Sequence, residues 1–220
     1  MAFTVSQKIK TILKLVSEPK ILSALLSQRS FGYLNEVGWF ESFLLLQSVD
    51  KNKNPIPWFS YPFIDFLTPR LTKDLVLFEF GSGNSTLFFA KRVKEVISVE
   101  HNKEWYQIVN STKPSNVKLI QTESDSVTDY VGYFSNLKEK VDIIIVDGLL
   151  RNECLINSIN KLSENGVIIL DDSERNEYEQ GKDFLLNNNF NSIEFWGIAP
   201  TVLFKKCTTL FYKSNNCLGV

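Results

Sequence analysis

Leu75-Val76-Leu77-Phe78-Glu79-Phe80-Gly81-Ser82-Gly83-Asn84-Ser85 is the stretch that decides the fold. The apolar run up to Phe80 is short and closed by glycine, which reads as a buried strand rather than a helix. Gly81 and Gly83 permit a sharp turn and the close approach of a ligand to the backbone. From Asn84 to about Val93 the pattern is helical, and the helix opens with free N–H groups facing the turn.

The same alternation continues downstream. Strands are predicted over 95–100, 117–121, 141–147 and 166–171, with four consecutive β-branched residues from Ile143 to Val146. Helices fit from 103 and near 126–137, 152–162 and 176–187. Near-continuous apolar strands separated by helices predict a parallel sheet covered on both faces. Residues 192–196 and 208–213 lie too close together for a crossover helix, so they are expected to pair antiparallel. The expected fold is therefore α/β and doubly wound. Its sheet is seven-stranded and mainly parallel, with a C-terminal antiparallel hairpin.

Upstream, residues 5–28 read as helical, with Pro19 dividing the segment. Lys8, Lys10, Lys14, Lys20 and Arg29 stand against one acid, Glu18. The favoured reading is a helix packed on the domain or on a partner subunit; a basic amphipathic helix lying on a membrane surface is the alternative. Residues 31–70 crowd Trp39, Trp58, Phe59, Tyr61, Phe63 and Phe66 around four prolines, which disfavours long elements. They are expected to cap the sheet. The division predicted is 1–70 for the N-terminal helices and aromatic cap, and 71–220 for the ligand-binding domain.

Composition narrows the function. At 220 residues and 44% hydrophobic, the chain can bury a core. Its net charge of −1 supplies no global field for nucleic acid or an anionic membrane. No apolar run approaches the roughly 18 residues of a spanning helix. Cys154, Cys207 and Cys217 are odd in number and form no CxxC pair, as expected of free thiols in a reducing compartment. A cytoplasmic protein without stable membrane insertion is expected, and a homo-oligomer is compatible with the sequence.

In an open parallel sheet, ligands sit at the carboxyl ends of the strands. Each predicted parallel strand here ends in or is followed by acid: Glu79, Glu100, Glu123 with Asp125, Asp147, and Asp171 with Asp172. Glu100 lies 19 residues beyond Gly81, where a carboxylate can take both hydroxyls of an adenosine ribose. That feature suits a nicotinamide dinucleotide equally well. Glu79 separates the two, because a carboxylate beside the glycine turn repels a pyrophosphate. The dinucleotide fingerprint also wants Gly or Ala where this chain has Thr86. S-adenosylmethionine has no phosphate, and its ammonium and sulfonium favour a nearby carboxylate.

Glu79-Phe80-Gly81-Ser82-Gly83-Asn84-Ser85 resembles the first motif of class I S-adenosylmethionine-dependent methyltransferases, acid-x-Gly-x-Gly-x-Gly, with Ser85 in place of the last glycine. The C-terminal hairpin resembles that family too, and the likeness covers roughly residues 60–213. The phrases PIPWFSYPFIDFL, VDIIIVDGLLRNECL and GVIILDDSERNEY are similar to a bacterial branch of it. The resemblance implies that Glu79, Gly81 and Gly83 line the methionine half of the cofactor, with Phe80, Ser82 and Ser85 also binding the cofactor. It implies that Glu100 holds the ribose, His101 lies beside the adenosine and Asp125 approaches the adenine.

In catechol-type members, acids after the fourth and fifth strands hold Mg²⁺, which would enlist Asp147, Asp171 and Asp172. Without a metal, Asp147 or Asp172 is the expected base. Trp58, Tyr61 and Arg151 are candidate substrate residues, with Arg151 favoured slightly as an ion-pair partner of Asp147. The expected reaction is direct displacement onto an oxygen of a small molecule or glycan. The rivals are a nicotinamide-dependent oxidoreductase, a non-catalytic binding protein of the same fold, and aminopropyl transfer as in spermidine synthases.

Overall fold

The computed structural model describes residues 4–122 and 126–220. Five helices precede the sheet: α1 (Val5–Ser17), α2 (Pro19–Ser27), α3 (Tyr33–Glu36), α4 (Trp39–Leu45) and α5 (Tyr61–Leu67). There follow β1 (Val76–Phe80), α6 (Asn84–Ala90), β2 (Glu95–Glu100), α7 (Lys103–Thr112), β3 (Val117–Gln121) and α8 (Val127–Ser135). The chain continues with β4 (Val141–Val146), α9 (Arg151–Ser158), β5 (Leu162–Asp171), α10 (Glu179–Asn187), β6 (Asn191–Gly197) and β7 (Lys206–Tyr212).

The seven strands run in the order β3-β2-β1-β4-β5-β7-β6. The first five are parallel, and β7 is antiparallel to both β5 and β6. The expected fold is thus the one observed. The winding reverses between β1 and β4, where such sheets open a crevice at their carboxyl ends.

Both faces of the sheet are covered, which is why its strands are apolar throughout rather than alternating. Leu77, Ile143, Ile145, Val167, Ile169 and Leu210 meet Phe59, Phe63, Ile64, Leu67 and Phe89 on one side. Phe78, Phe80, Ile144, Val146, Ile168 and Leu170 meet Tyr130, Phe134, Leu155 and Leu185 on the other. Each fully buried phenylalanine contributes about 2–3 kcal/mol over leaving it in water.

Two expectations shift at this level. The aromatic segment is less a cap than one full layer of the core, since Trp39, Phe59 and Phe63 are buried against the sheet. That layer leaves no sheet face for the first two helices. A capping box between Thr4 and Gln7 opens α1, and Pro19 occupies the first turn of α2, yet neither helix buries a residue. The expectation that they pack on the domain is therefore corrected. A smaller change is that α9 stops at Ser158, because β5 begins at Leu162 to pair with Val141.

Candidate active site

The loops after β1 and β4 touch at the reversal point. Gly81 takes φ +104°, a region that side-chain-bearing residues rarely adopt. A Cβ on Gly148 would stand 2.0 Å from the Tyr130 hydroxyl oxygen, so only glycine lets the β4 loop close here. Above this contact lies a cavity of about 980 Å³. That is the upper end of the roughly 300–1,000 Å³ typical of small-molecule sites.

One edge of the cavity is built around two carboxylates. Glu79 is 1% exposed, and its Oε2 accepts hydrogen bonds from the hydroxyls of Thr86 (2.6 Å) and Ser98 (2.9 Å). Thr86 also accepts from the Gly83 N–H at 3.0 Å, which gives the departure from the dinucleotide fingerprint a structural purpose. Burial lifts the Glu79 carboxyl to about 7 even though Ser85, Thr86 and Ser98 donate to it. Glu100 is buried at the end of β2. Its Oε2 accepts from the Ser82 N–H and hydroxyl, both at 3.0 Å, and its Oε1 from the Asn102 N–H at 2.8 Å. His101 Nδ1 lies 3.3 Å from Glu100 Oε1. The Asn102 side chain caps α7, which carries Trp105 to the glycine loop, where its indole N–H donates to the Ser82 carbonyl.

The opposite edge holds Asp147, Asp171 and Asp172, and it is threaded with cations. Lys206 Nζ donates to Asp171 Oδ2 (2.6 Å), Asp172 Oδ1 (2.8 Å) and the Trp58 carbonyl (3.0 Å). Thr208 donates to the other oxygen of Asp171 at 2.7 Å. Arg175 and Arg151 reach Asp172 Oδ2 at 2.9 and 3.5 Å, and Arg151 also reaches Asp147 Oδ1 at 3.1 Å. Burial works against the Lys206 ammonium, but Asp171 and Asp172 more than offset it and hold its pKa above the ordinary lysine value. Burial likewise works against an ionised Asp172, yet Lys206, Arg151 and Arg175 hold it below the usual carboxylate range. Asp147 differs: burial raises it to about 6, with Arg151 and Lys206 opposing only in part. Two non-glycine residues beside this edge, Leu150 and Asp172, take φ of +50°, a strained choice that the surroundings must hold.

These contacts decide whether Mg²⁺ fits. The three aspartates bring ligand atoms within 4.8 Å of one another. Yet among the described residues only Asp147 Oδ2 has no partner, because every other oxygen of the trio is hydrogen-bonded within the protein. A hard divalent cation needs several free oxygens. The trio does not fit one, because Lys206 supplies the positive charge already.

The sequence-derived residues divide cleanly. Glu79, Gly81, Ser82, Gly83, Ser85, Glu100 and His101 line the cavity with Asp147, Asp171, Asp172 and Trp58. Phe80 does not: its ring is buried on the opposite face of the sheet, and it serves the site through its carbonyl, which accepts from the Asp147 N–H. Tyr61 does not either, being 2% exposed within the core layer. Arg151 is spent on Asp147, Asp172 and the carbonyls of Asp147, Gly148 and Asp171, so the ion-pair reading holds over the substrate reading. Asp125 lies outside the described residues. All three cysteines are free. Sequence reasoning missed Lys206, Trp105 and the apolar wall of Val202 and Phe204, all of which line the cavity.

Residues 78–173 match a family model described as a methyltransferase domain. No curated protein is detectably similar in sequence. Several solved structures share the fold. A precorrin-6y C5,15-methyltransferase from Geobacter metallireducens GS-15 is 15% identical, with a TM-score of 0.55 over 70% of this chain and 87% of that one. The O-methyltransferase TomG from Streptomyces achromogenes, involved in tomaymycin synthesis and solved in complex with SAM, is 11% identical. It aligns over 67% of this chain and 77% of its own, with a TM-score of 0.53. A precorrin 8w decarboxylase from Methanobacterium thermoautotrophicum is 19% identical, covering 70% and 88% with a TM-score of 0.52.

Proposed function

We propose that this chain is a class I S-adenosylmethionine-dependent methyltransferase that methylates an oxygen of a small molecule or glycan, with Asp147 as the base. The observation that carries the oxygen acceptor is the asymmetry of the acidic edge. Asp172 has both oxygens engaged and a lowered pKa, so it is a poor base. Asp147 faces the cavity with one oxygen unpartnered among the described residues and a pKa near 6, suited to taking a proton at neutral pH.

S-adenosylmethionine supplies a methyl group on its sulfonium, transferred by direct displacement. Glu79 and the glycine loop suit the charged methionine end, and Glu100 suits a ribose hydroxyl, since its Oε1 keeps a lone pair beyond the bond it accepts from Asn102. Trp105, Trp58 and Phe204 wall the cavity with apolar surface that keeps water from the reacting oxygen. The functional unit reaches upstream of residue 71, because residues 39–67 share the core that shapes this wall.

Calorimetry with S-adenosylhomocysteine tests the assignment. The expected result is saturable binding that Glu100→Ala weakens by about ten- to hundred-fold, the range for losing hydrogen bonds to a charged group. No binding, or preference for a nicotinamide dinucleotide, overturns it.

A pH series tests Glu79 separately. In the free enzyme Glu79 keeps its proton up to about pH 7. A cationic ligand beside it favours the carboxylate, so binding releases a proton below that pH. Affinity for S-adenosylmethionine is therefore expected to climb as pH rises to about 7 and to level off above it. S-adenosylhomocysteine, lacking the sulfonium charge, should show a shallower slope. Equal slopes for the two ligands would count against Glu79 as the cofactor's counter-charge.

A further inference from the structure

The first two helices present an apolar stripe that nothing in the described structure covers. Val5, Ile9, Ile12, Leu13 and Val16 follow one face of α1, and each is more than half exposed. Ile21, Leu25 and Leu26 continue the exposure along α2. A contiguous apolar surface of this kind marks a binding face. Its chemistry points to the occupant. Lys8 flanks the stripe, Lys10 and Lys14 lie on the opposite side of α1, and Lys20 and Arg29 follow. With Glu18 as the one acid, residues 1–30 carry a formal charge of +4. The whole chain carries −1, which leaves −5 for the remainder. Pairing this face with its own copy would set cation against cation. An anionic bilayer takes both the stripe and the charge. At 13 and 9 residues, the two helices are too short to span one.

We propose that α1 and α2 form an interfacial anchor that seats the enzyme on an anionic lipid surface. The stripe enters the acyl boundary and the lysines meet the headgroups. Exposed Leu46 and Phe204 at the cavity, with their neighbours Leu44 and Leu203, add apolar surface near the mouth. This goes beyond methyl transfer and does not depend on it.

Flotation of the full chain with vesicles is the test, using phosphatidylcholine alone and phosphatidylcholine with about 30% phosphatidylglycerol. The chain should float with the anionic vesicles only, and less so as salt shortens the Debye length. Lys10→Gln with Lys14→Gln should lower the partition coefficient about thirty-fold, since each lysine near the surface contributes about five-fold. Ile9→Ser, Leu13→Ser and Val16→Ser together should abolish flotation while leaving the melting temperature unchanged, because none of these side chains is buried. Absence of flotation at low salt, or equal binding to both vesicles, overturns the proposal. So does a dimer in sedimentation velocity that the triple serine variant dissociates, which would make a second copy the occupant. Binding of S-adenosylhomocysteine by the same preparations reads the methyltransferase assignment independently.

Discussion

Lys206→Met should destabilise the protein by about 3–5 kcal/mol, the cost of leaving a buried ionic cluster without its partner. Lys206 is the shared cation of Asp171 and Asp172, at 2.6 and 2.8 Å, and its third N–H is taken by the Trp58 carbonyl. Its loss leaves Asp171 without its ion-pair partner, takes one of three cations from Asp172, and frees residue 58 from β7. For a chain of this size the melting temperature should fall by on the order of 10 °C. Converting Asp171 and Asp172 to Asn in the same chain should recover much of the loss, because the two sites are in contact and their effects do not add. The wild-type melting temperature should not respond to Mg²⁺ or to a chelator. A stable Lys206→Met protein, or a clear rise in stability with Mg²⁺ in the wild type, would show that the ammonium is not the site's resident charge.

Asp147→Asn should sharply slow turnover while leaving the cofactor site intact. A positioned base contributes roughly 10²- to 10⁴-fold to a proton transfer, and that is the expected drop in kcat. Arg151 keeps its bonds to Asp172 and to the carbonyls of Gly148 and Asp171, so the fold should tolerate the change. In the wild type the rate should rise with pH through about 6 as Asp147 ionises, and that limb should be missing from the variant. Transfer of radiolabel from methyl-labelled S-adenosylmethionine into a small-molecule extract measures the loss. S-adenosylhomocysteine affinity within about three-fold of wild type shows that the defect lies in the chemistry. An undiminished rate would remove Asp147 as the base.

Much of this was legible in the sequence because it is local. An apolar run ended by glycine at Gly81 is a strand and a turn whatever surrounds it, and a carboxylate at a strand end such as Glu100 is located once the strand is. The sheet's parallel body followed from that alternation. Lys206 was not legible for the opposite reason. Its role depends on the register of β7 against β5, which sets Asp171 opposite Thr208 and carries Lys206 just past the end of β5. No short-range pattern fixes that pairing. A strand that runs backwards offers its beginning, not its end, to the site, so a search of strand ends for chemistry overlooks it. Phe80 and Tyr61 misled for a related reason: adjacency in sequence to a site residue does not tell which face of the sheet a ring takes.

The position of β7 also bears on how the molecule is made. It is the last strand of the chain, yet it is no edge: it pairs with β5 on one side and β6 on the other. A nascent chain emerging from the ribosome can assemble β1 to β5 early, with Arg151 and Arg175 already at hand for Asp172, but Asp171 then waits for its counter-ion until β7 threads in between β5 and β6. The chemistry of the pocket is completed only once β7 is in place. A product that stopped before β7, however well its first five strands had formed, would lack the ammonium that pairs with Asp171.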